Sequence, residues 1–315
     1  AIERSCSLSS DNLTLTCLLN HSSNSLSNIE GEIHMLFYSQ NPNIASIKVS
    51  TKKDDYITLQ SGGGFADLNL TSPTQTGAFS FTTLASQVNT LIWNGNTFTD
   101  TLKVDVYDGD TGSLVKTFNT TAKEGLIDFT GVFNAGKFKV VVSAVNGGLG
   151  KISFALSNNQ TVTGAINATT KVVSLPVGTV YAYKFAATNG SFAGIGISGV
   201  STTPAGGSVN MEILDPRGVL LTTCKMTVAT TGTCDLAIKL DGDYVARIYS
   251  TTAAASNFNF TLTSDATVAT VIGQGASFTA TREGQNQRIT FPVVTGKTYS
   301  LMWSGNTFAS GSLYL

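Results

Sequence analysis

The sequence predicts an all-β chain: tandem antiparallel jelly-roll-like β-sandwiches with a period of about 105 residues and a half-unit at each terminus. Three observations predict it. A glycine recurs at the head of similar segments, Gly31-Glu32-Ile33, Gly136-Lys137-Phe138 and Gly242-Asp243-Tyr244, at spacings of 105 and 106 residues. Each glycine is followed by apolar residues at every second position, namely Ile33/Met35/Phe37, Phe138/Val140/Val142 and Tyr244/Ala246/Ile248, the pattern of a half-buried strand. Elsewhere short alternating segments are broken by Gly, Asn, Asp and Pro, and no helical period is sustained.

In chain order, residues 1–53 carry the later strands of a unit, including the Gly31 strand and the Ile47/Val49 pair. Residues 54–158 and 159–264 are complete units, each expected to hold seven or eight short strands. Their aromatic-rich strands, Phe79/Phe81 and Tyr183/Phe185, recur as Ile289/Phe291 in the last segment, residues 265–315, which carries only early strands. Leu91-Ile92-Trp93-Asn94-Gly95-Asn96-Thr97-Phe98 likewise recurs as Leu301-Met302-Trp303-Ser304-Gly305-Asn306-Thr307-Phe308, with Ile197-Ser198-Gly199 at the middle position. Because Leu91/Trp93 and Leu301/Trp303 share a strand face, both tryptophans are expected in the core rather than as sugar-stacking platforms. The terminal pieces are complementary: running through Leu313 and Leu315 into Ala1 continues the pattern, and the count from Gly242 through that join to Gly31 is 104 residues.

Only 12% of residues are charged and the net charge is −1, so nothing electrostatic points to nucleic acid. No apolar run approaches the ~18 residues of a membrane helix. The four cysteines fall into two close pairs, Cys6/Cys17 and Cys224/Cys234, expected to form two local disulfides and to place the protein outside the cell or at its surface. A zinc site at Cys6, Cys17 and His21 lacks a fourth ligand at finger spacing. Sequons at Asn12, Asn20, Asn69, Asn119, Asn159, Asn167, Asn189 and Asn259 are about as numerous as so Ser- and Thr-rich a chain produces by chance.

The order of elements, with Leu214-Asp215-Pro216-Arg217-Gly218 as a turn and Asp241-Gly242-Asp243-Tyr244-Val245-Ala246-Arg247-Ile248 opening the next strand, resembles the bacterial pre-peptidase C-terminal domain. In the first complete unit the matching turn is Tyr107-Asp108-Gly109-Asp110. The resemblance implies a secreted β-sandwich appended to exported enzymes or surface proteins, with no catalytic activity of its own.

Few residues suggest a site. Asp105, Asp108 and Asp110 are calcium candidates, but Asp-Gly is a preferred hairpin connection and the last EF-hand position counted from Asp105 is Lys116, so a turn is the stronger expectation. Asp241-Gly242-Asp243 reads the same way. The two histidines, His21 and His34, neighbour no nucleophile elbow or metalloprotease helix, and no phosphate-binding glycine loop occurs; the chain is expected not to be an enzyme and to need no cofactor.

The half-units carry the functional expectation. A half-sandwich exposes an apolar face and a row of unpaired backbone groups, both of which recruit another strand. The expected partner is a second copy of the chain, bound head to tail through Ile33, Met35, Phe37, Ile289, Phe291, Trp303, Leu313 and Leu315. Such a heterologous contact grows into a filament. A covalent array of further units would look the same locally. The other function class is an accessory module that tethers a secreted hydrolase or adhesin to a glycan or protein.

Overall fold

The computed structural model describes residues 2–8, 15–21, 55–73, 75–84, 89–128, 136–227, 232–250, 254–305 and 307. Among them β1 (Ile2–Leu8) and β2 (Leu15–His21) form a two-stranded antiparallel sheet in which Cys6 lies opposite Cys17. The strand expected after Gly31, with Ile33, Met35 and Phe37, lies outside the described residues, as do Leu313 and Leu315.

The next strands are β3 (Asp55–Thr58), β4 (Ala66–Leu70), β5 (Gly77–Thr83), β6 (Asn89–Asn94), β7 (Leu102–Asp108), β8 (Leu114–Thr120), β9 (Gly125–Asp128), β10 (Gly136–Ala144) and β11 (Gly150–Asn158). They build a five-stranded sheet, β3-β5-β10-β7-β8, and a four-stranded sheet, β4-β11-β6-β9. The order then repeats. β12 (Gln160–Gly164), β13 (Lys171–Leu175), β14 (Val180–Ala187), β15 (Phe192–Thr203), β16 (Ser208–Leu214), β17 (Leu220–Thr227), β18 (Gly232–Ala237), β19 (Gly242–Ser250) and β20 (Ala255–Ser264) follow. Their sheets are β12-β14-β19-β16-β17 and β13-β20-β15-β18. The last described strands, β21 (Ala266–Ala269) and β22 (Gln287–Thr290), form a two-stranded sheet.

The fold is all-β, as the alternation predicts, and two features differ in detail. Each complete sandwich holds five strands facing four, more than expected, because four-residue strands such as β3 and β9 are too short to show alternation. The opening strand pairs in parallel: β3 with β5, β12 with β14 and β21 with β22. In the first two cases the intervening strand, β4 or β13, belongs to the facing sheet, so the chain crosses over and returns in its original direction.

Inward positions fill two cores. Leu68, Phe79, Leu91, Val104, Val140 and Phe154 are fully buried in the first, Phe185, Ile195, Met211, Ile213, Tyr244 and Ala246 fully buried in the second. Trp93 belongs to the first core and donates its indole N–H to the Ala122 carbonyl at 3.3 Å, which satisfies its polar atom.

The two sandwiches meet face to face. Ile92 of β6 points away from its own core yet is 0% exposed, because it packs with Val180 of β14 and Tyr249 of β19 in a third cluster flanked by Phe65 and Leu126. The Val180 amide donates to Ser157 Oγ at 2.8 Å, and Asn159 Nδ2 donates to Thr90 Oγ1 at 2.8 Å. A Cβ added at Gly178 would lie 3.0 Å from Ala155 Cβ and 3.2 Å from Gly64 Cα, so the backbones approach closely here.

Behind this contact lies a polar network. Arg247, with 8% of its side chain exposed, pairs with Glu212 at 2.9 Å, and the Tyr249 hydroxyl donates to the other Glu212 oxygen at 3.0 Å. Glu124 of the first sandwich reaches across to Lys225 and Asn210. Burial first, and the Glu212 carboxylate second, push the Tyr249 hydroxyl far above its ordinary value.

Candidate assembly surface

The last sheet repeats the beginning of each sandwich and lies against the outer face of the second one. Asp265, 2% exposed at its side chain, accepts from Arg288 Nε at 2.7 Å and from Asn286 Nδ2 at 3.1 Å. The Arg288 guanidinium carbon lies 3.5 Å from the centre of the Phe192 ring, a cation–π contact. Glu283 Oε2 accepts from Ser198 Oγ at 2.7 Å, and Arg282 donates to the carbonyls of Asn167 and Ala168. The Gly284 backbone sits over Gly194 and Gly196 of β15, where a Cβ would collide with it. Ile92 fills the comparable outward place in the first sandwich. Two glycines at alternate outward positions of β15 therefore let the following layer sit directly on backbone.

Among the described residues, none forms a sheet on the other side of this layer. Phe79 and Phe81 are 0% and 3% exposed, and Tyr183 and Phe185 1% and 0%, whereas Ile289 is only half-buried and Phe291 is 39% exposed. Leu91 and Trp93 are buried, but Leu301, Met302 and Trp303 are 51%, 90% and 63% exposed and lie in no strand. The expectation of a core position therefore fits Trp93 and not Trp303 within one copy. Among the described residues, none stands over Trp303 as Phe118 stands over Trp93, its ring centre 5.8 Å from the indole. Val293 and Val294, each 63% exposed, extend the apolar surface.

The remaining candidates sit elsewhere. Asp105 is buried at its strand position, accepting from Thr117 Oγ1 at 2.6 Å and pairing with Lys103 at 2.7 Å. Asp108 caps its turn, accepting from the Thr111 and Asp110 amides at 2.7 and 2.9 Å. The Thr111 bond, acting against burial and helped by the Asp110 bond, holds the Asp108 carboxyl below its ordinary range. Asp110 is exposed. These carboxylates are thus directed at different partners, and no group of three His, Cys, Asp or Glu side chains suited to a metal occurs among the described residues. The Asp215-Pro216-Arg217-Gly218 segment is a turn in which Asp215 accepts from the amides of Arg217 and Val219 and from the Arg217 side chain. In the second aspartate cluster Asp241 accepts from the Asn189 amide at 2.9 Å, while Asp243 pairs with Lys184 at 2.8 Å.

A disulfide joins Cys224 of β17 to Cys234 of β18, across the two sheets of the second sandwich, with Cα atoms 6.2 Å apart. Replacing both by serine is expected to cost about 3 kcal/mol through the freed loop, read as a lower urea midpoint with no further effect of reductant on that sandwich. The side chains of Cys6 and Cys17 lie outside the described residues. No helix among the described residues is long and apolar enough to cross a membrane.

Sequence reasoning missed the junction residues. No motif or strand period in the sequence marks Asp265, Glu283 or Arg288. The available signal was the Ala193-Gly194-Ile195-Gly196 stretch, where outward glycines announce a close backbone approach.

No protein-family model matches the chain, and no curated protein matches it. Among solved structures it is similar to the pre-peptidase C-terminal domain of a collagenase from Bacillus anthracis, with 11% identity over 35% of this chain and 99% of that one, TM-score 0.27. It is also similar to the CUB1-EGF-CUB2 region of human MASP-1/3, with 7% identity over 63% and 99% of the two chains, TM-score 0.21. The PBSX exported protein XepA follows, with 10% identity over 65% and 88%, TM-score 0.23.

Proposed function

We propose that this protein is a non-catalytic structural subunit of an extracellular filament or surface fibre, assembled head to tail by completion of a shared β-sandwich. One observation carries the reading: Phe291, Leu301 and Trp303 stand exposed at positions whose counterparts Phe81, Phe185, Leu91 and Trp93 are buried. Each such side chain gains roughly 1.5–3 kcal/mol when covered. The stack within one copy supports this reading, since the first sandwich packs its outer sheet face against the second. A copy that covers this last layer presents its own last layer in turn, so the contact propagates. The Cys224–Cys234 disulfide fits an oxidising compartment.

The test combines electron microscopy and sedimentation of the native protein with the mass of its reduced, denatured chain. Filaments that dissolve in denaturant to single chains are expected, and Leu301→Asp with Trp303→Asp should leave single copies at concentrations where the parent polymerises. Single copies of the parent at high micromolar concentration would refute the reading. A denatured chain long enough to hold further units that cover the last layer would also refute it, in favour of a covalent array.

A further inference from the structure

The two complete sandwiches give the same template for the unfinished layer. In each, one strand lies between a parallel opening strand and an antiparallel strand that begins with glycine. Phe79 of β5 lies opposite Ile57 of β3 on one side and Val140 of β10 on the other, and Phe81 lies opposite Phe138. Tyr183 of β14 lies opposite Val162 of β12 and Ala246 of β19, and Phe185 opposite Tyr244. In the last layer Ile289 of β22 lies opposite Val268 of β21, the same parallel relation, while the other edge of β22 pairs with no described strand.

The glycine strand has a third occurrence in the sequence. Gly31 corresponds to Gly136 and Gly242, Ile33 to Phe138 and Tyr244, Met35 to Val140 and Ala246, and Phe37 to Val142 and Ile248. We propose that residues 31–38 of a second copy of this chain fill the free edge of β22, antiparallel, in the register that sets Met35 opposite Ile289 and Ile33 opposite Phe291. This rests on the head-to-tail reading above and adds to it the strand that binds and its register.

Two arguments fix the choice. A slip of one residue would carry Glu32 and His34 onto the apolar face in place of Ile33 and Met35, so the burial that drives docking exists in one parity alone. Within that parity, the two internal templates agree on the same opposition of residues counted from the glycine. The second copy is favoured over the chain's own segment by reach. Sheets packed face to face lie ~10 Å apart, which puts β22 four layers, or roughly 40 Å, from the sheet of β3. The 17 steps from Tyr38 to Asp55 reach at most ~58 Å at ~3.4 Å per residue, so about two-thirds of them would have to run extended along the flank of both sandwiches. They would then forfeit the Ile47/Val49 strand pattern they carry.

The experiment mixes two populations of full-length chain, one carrying Thr290→Cys and the other carrying His34→Cys, Glu32→Cys or Leu36→Cys, under mild oxidation with peptide mapping of the new disulfide. Thr290 is exposed, and in the proposed register it lies opposite His34. Directly opposed strand residues fall within disulfide range, whereas diagonal ones sit 7–8 Å apart. The His34→Cys partner is expected to cross-link between chains at least about fivefold faster than the other two. Filaments of the parent protein together with fastest cross-linking at Glu32→Cys or Leu36→Cys, or equal rates at all three, would overturn the register and leave head-to-tail assembly standing. Cross-linking confined to single chains of a Thr290→Cys/His34→Cys double variant would overturn the second-copy partner. Absence of any assembly by the parent would overturn both this inference and the reading it rests on.

Discussion

Phe185→Ala is expected to destabilise the second sandwich by about 3–5 kcal/mol, whereas Phe291→Ala in a single dissociated copy should cost under ~1 kcal/mol. The two residues occupy the same place in successive units. Phe185 is 0% exposed and stacks on Tyr244 with ring centres 5.8 Å apart, so truncation leaves a cavity walled by β-sheet that cannot collapse. Phe291 is 39% exposed and has little packing to lose. Urea titration of the dissociated variants measures both values. Repeating it on assembled protein is the sharper experiment, because a completed sandwich should raise the cost of Phe291→Ala towards that of Phe185→Ala. Equal small costs in both states would mean that nothing covers Phe291 on assembly.

Glu212→Ala should be comparably severe, about 3–5 kcal/mol, because it removes the carboxylate that pairs with the shielded Arg247 at 2.9 Å and leaves the Tyr249 hydroxyl without its acceptor. Replacing the pair together, Glu212→Leu with Arg247→Met, is expected to be far milder, since no buried charge is then uncompensated. Denaturant midpoints of the single and double variants check this, and a double variant as unstable as Glu212→Ala would refute it. The same site predicts an alkaline limit. Tyr249 is held neutral in the folded protein by burial and by Glu212, so its folded titration lies above its unfolded value near 10. The stability it contributes is therefore fully present below pH 10 and is lost as pH rises beyond it. Tyrosinate absorbance should show Tyr249 ionising only as the sandwich unfolds, and Tyr249→Phe should flatten the loss.

Much of the fold was legible because inward positions alternate and glycine punctuates. Phe79/Phe81, Tyr183/Phe185 and the runs after Gly136 and Gly242 are strands with those residues inside. The parallel opening pairs were not legible, since β3 and β12 are short and largely polar, and their partner is chosen by the crossover through the facing sheet. Asp108 sits in its turn with its carboxylate accepting from the Asp110 and Thr111 amides, a local bond that Asp-Gly turn chemistry favours.

The outward faces were the harder part. Ile92, Ala155 and Tyr249 sit where alternation assigns solvent, yet all are buried, because one sandwich's outer sheet is the next one's neighbour. Arg247 and Glu212 occupy outward strand positions between the inward pairs Ala246/Ile248 and Met211/Ile213, yet they form a shielded pair. Conversely Trp303 carries the same local pattern as Trp93 and is exposed.

Local sequence thus determined which residues are strands, which side of each strand is apolar, and that the same plan recurs along the chain. Those properties depend on side-chain period and backbone freedom, which neighbouring residues set among themselves. Only the tertiary structure decided which apolar faces are covered, which charges are paired and which layer is left open. Burial is a property of what stands opposite a residue, and here that is a sheet a full unit away in sequence, or, at β22, a strand that no described part of the chain supplies.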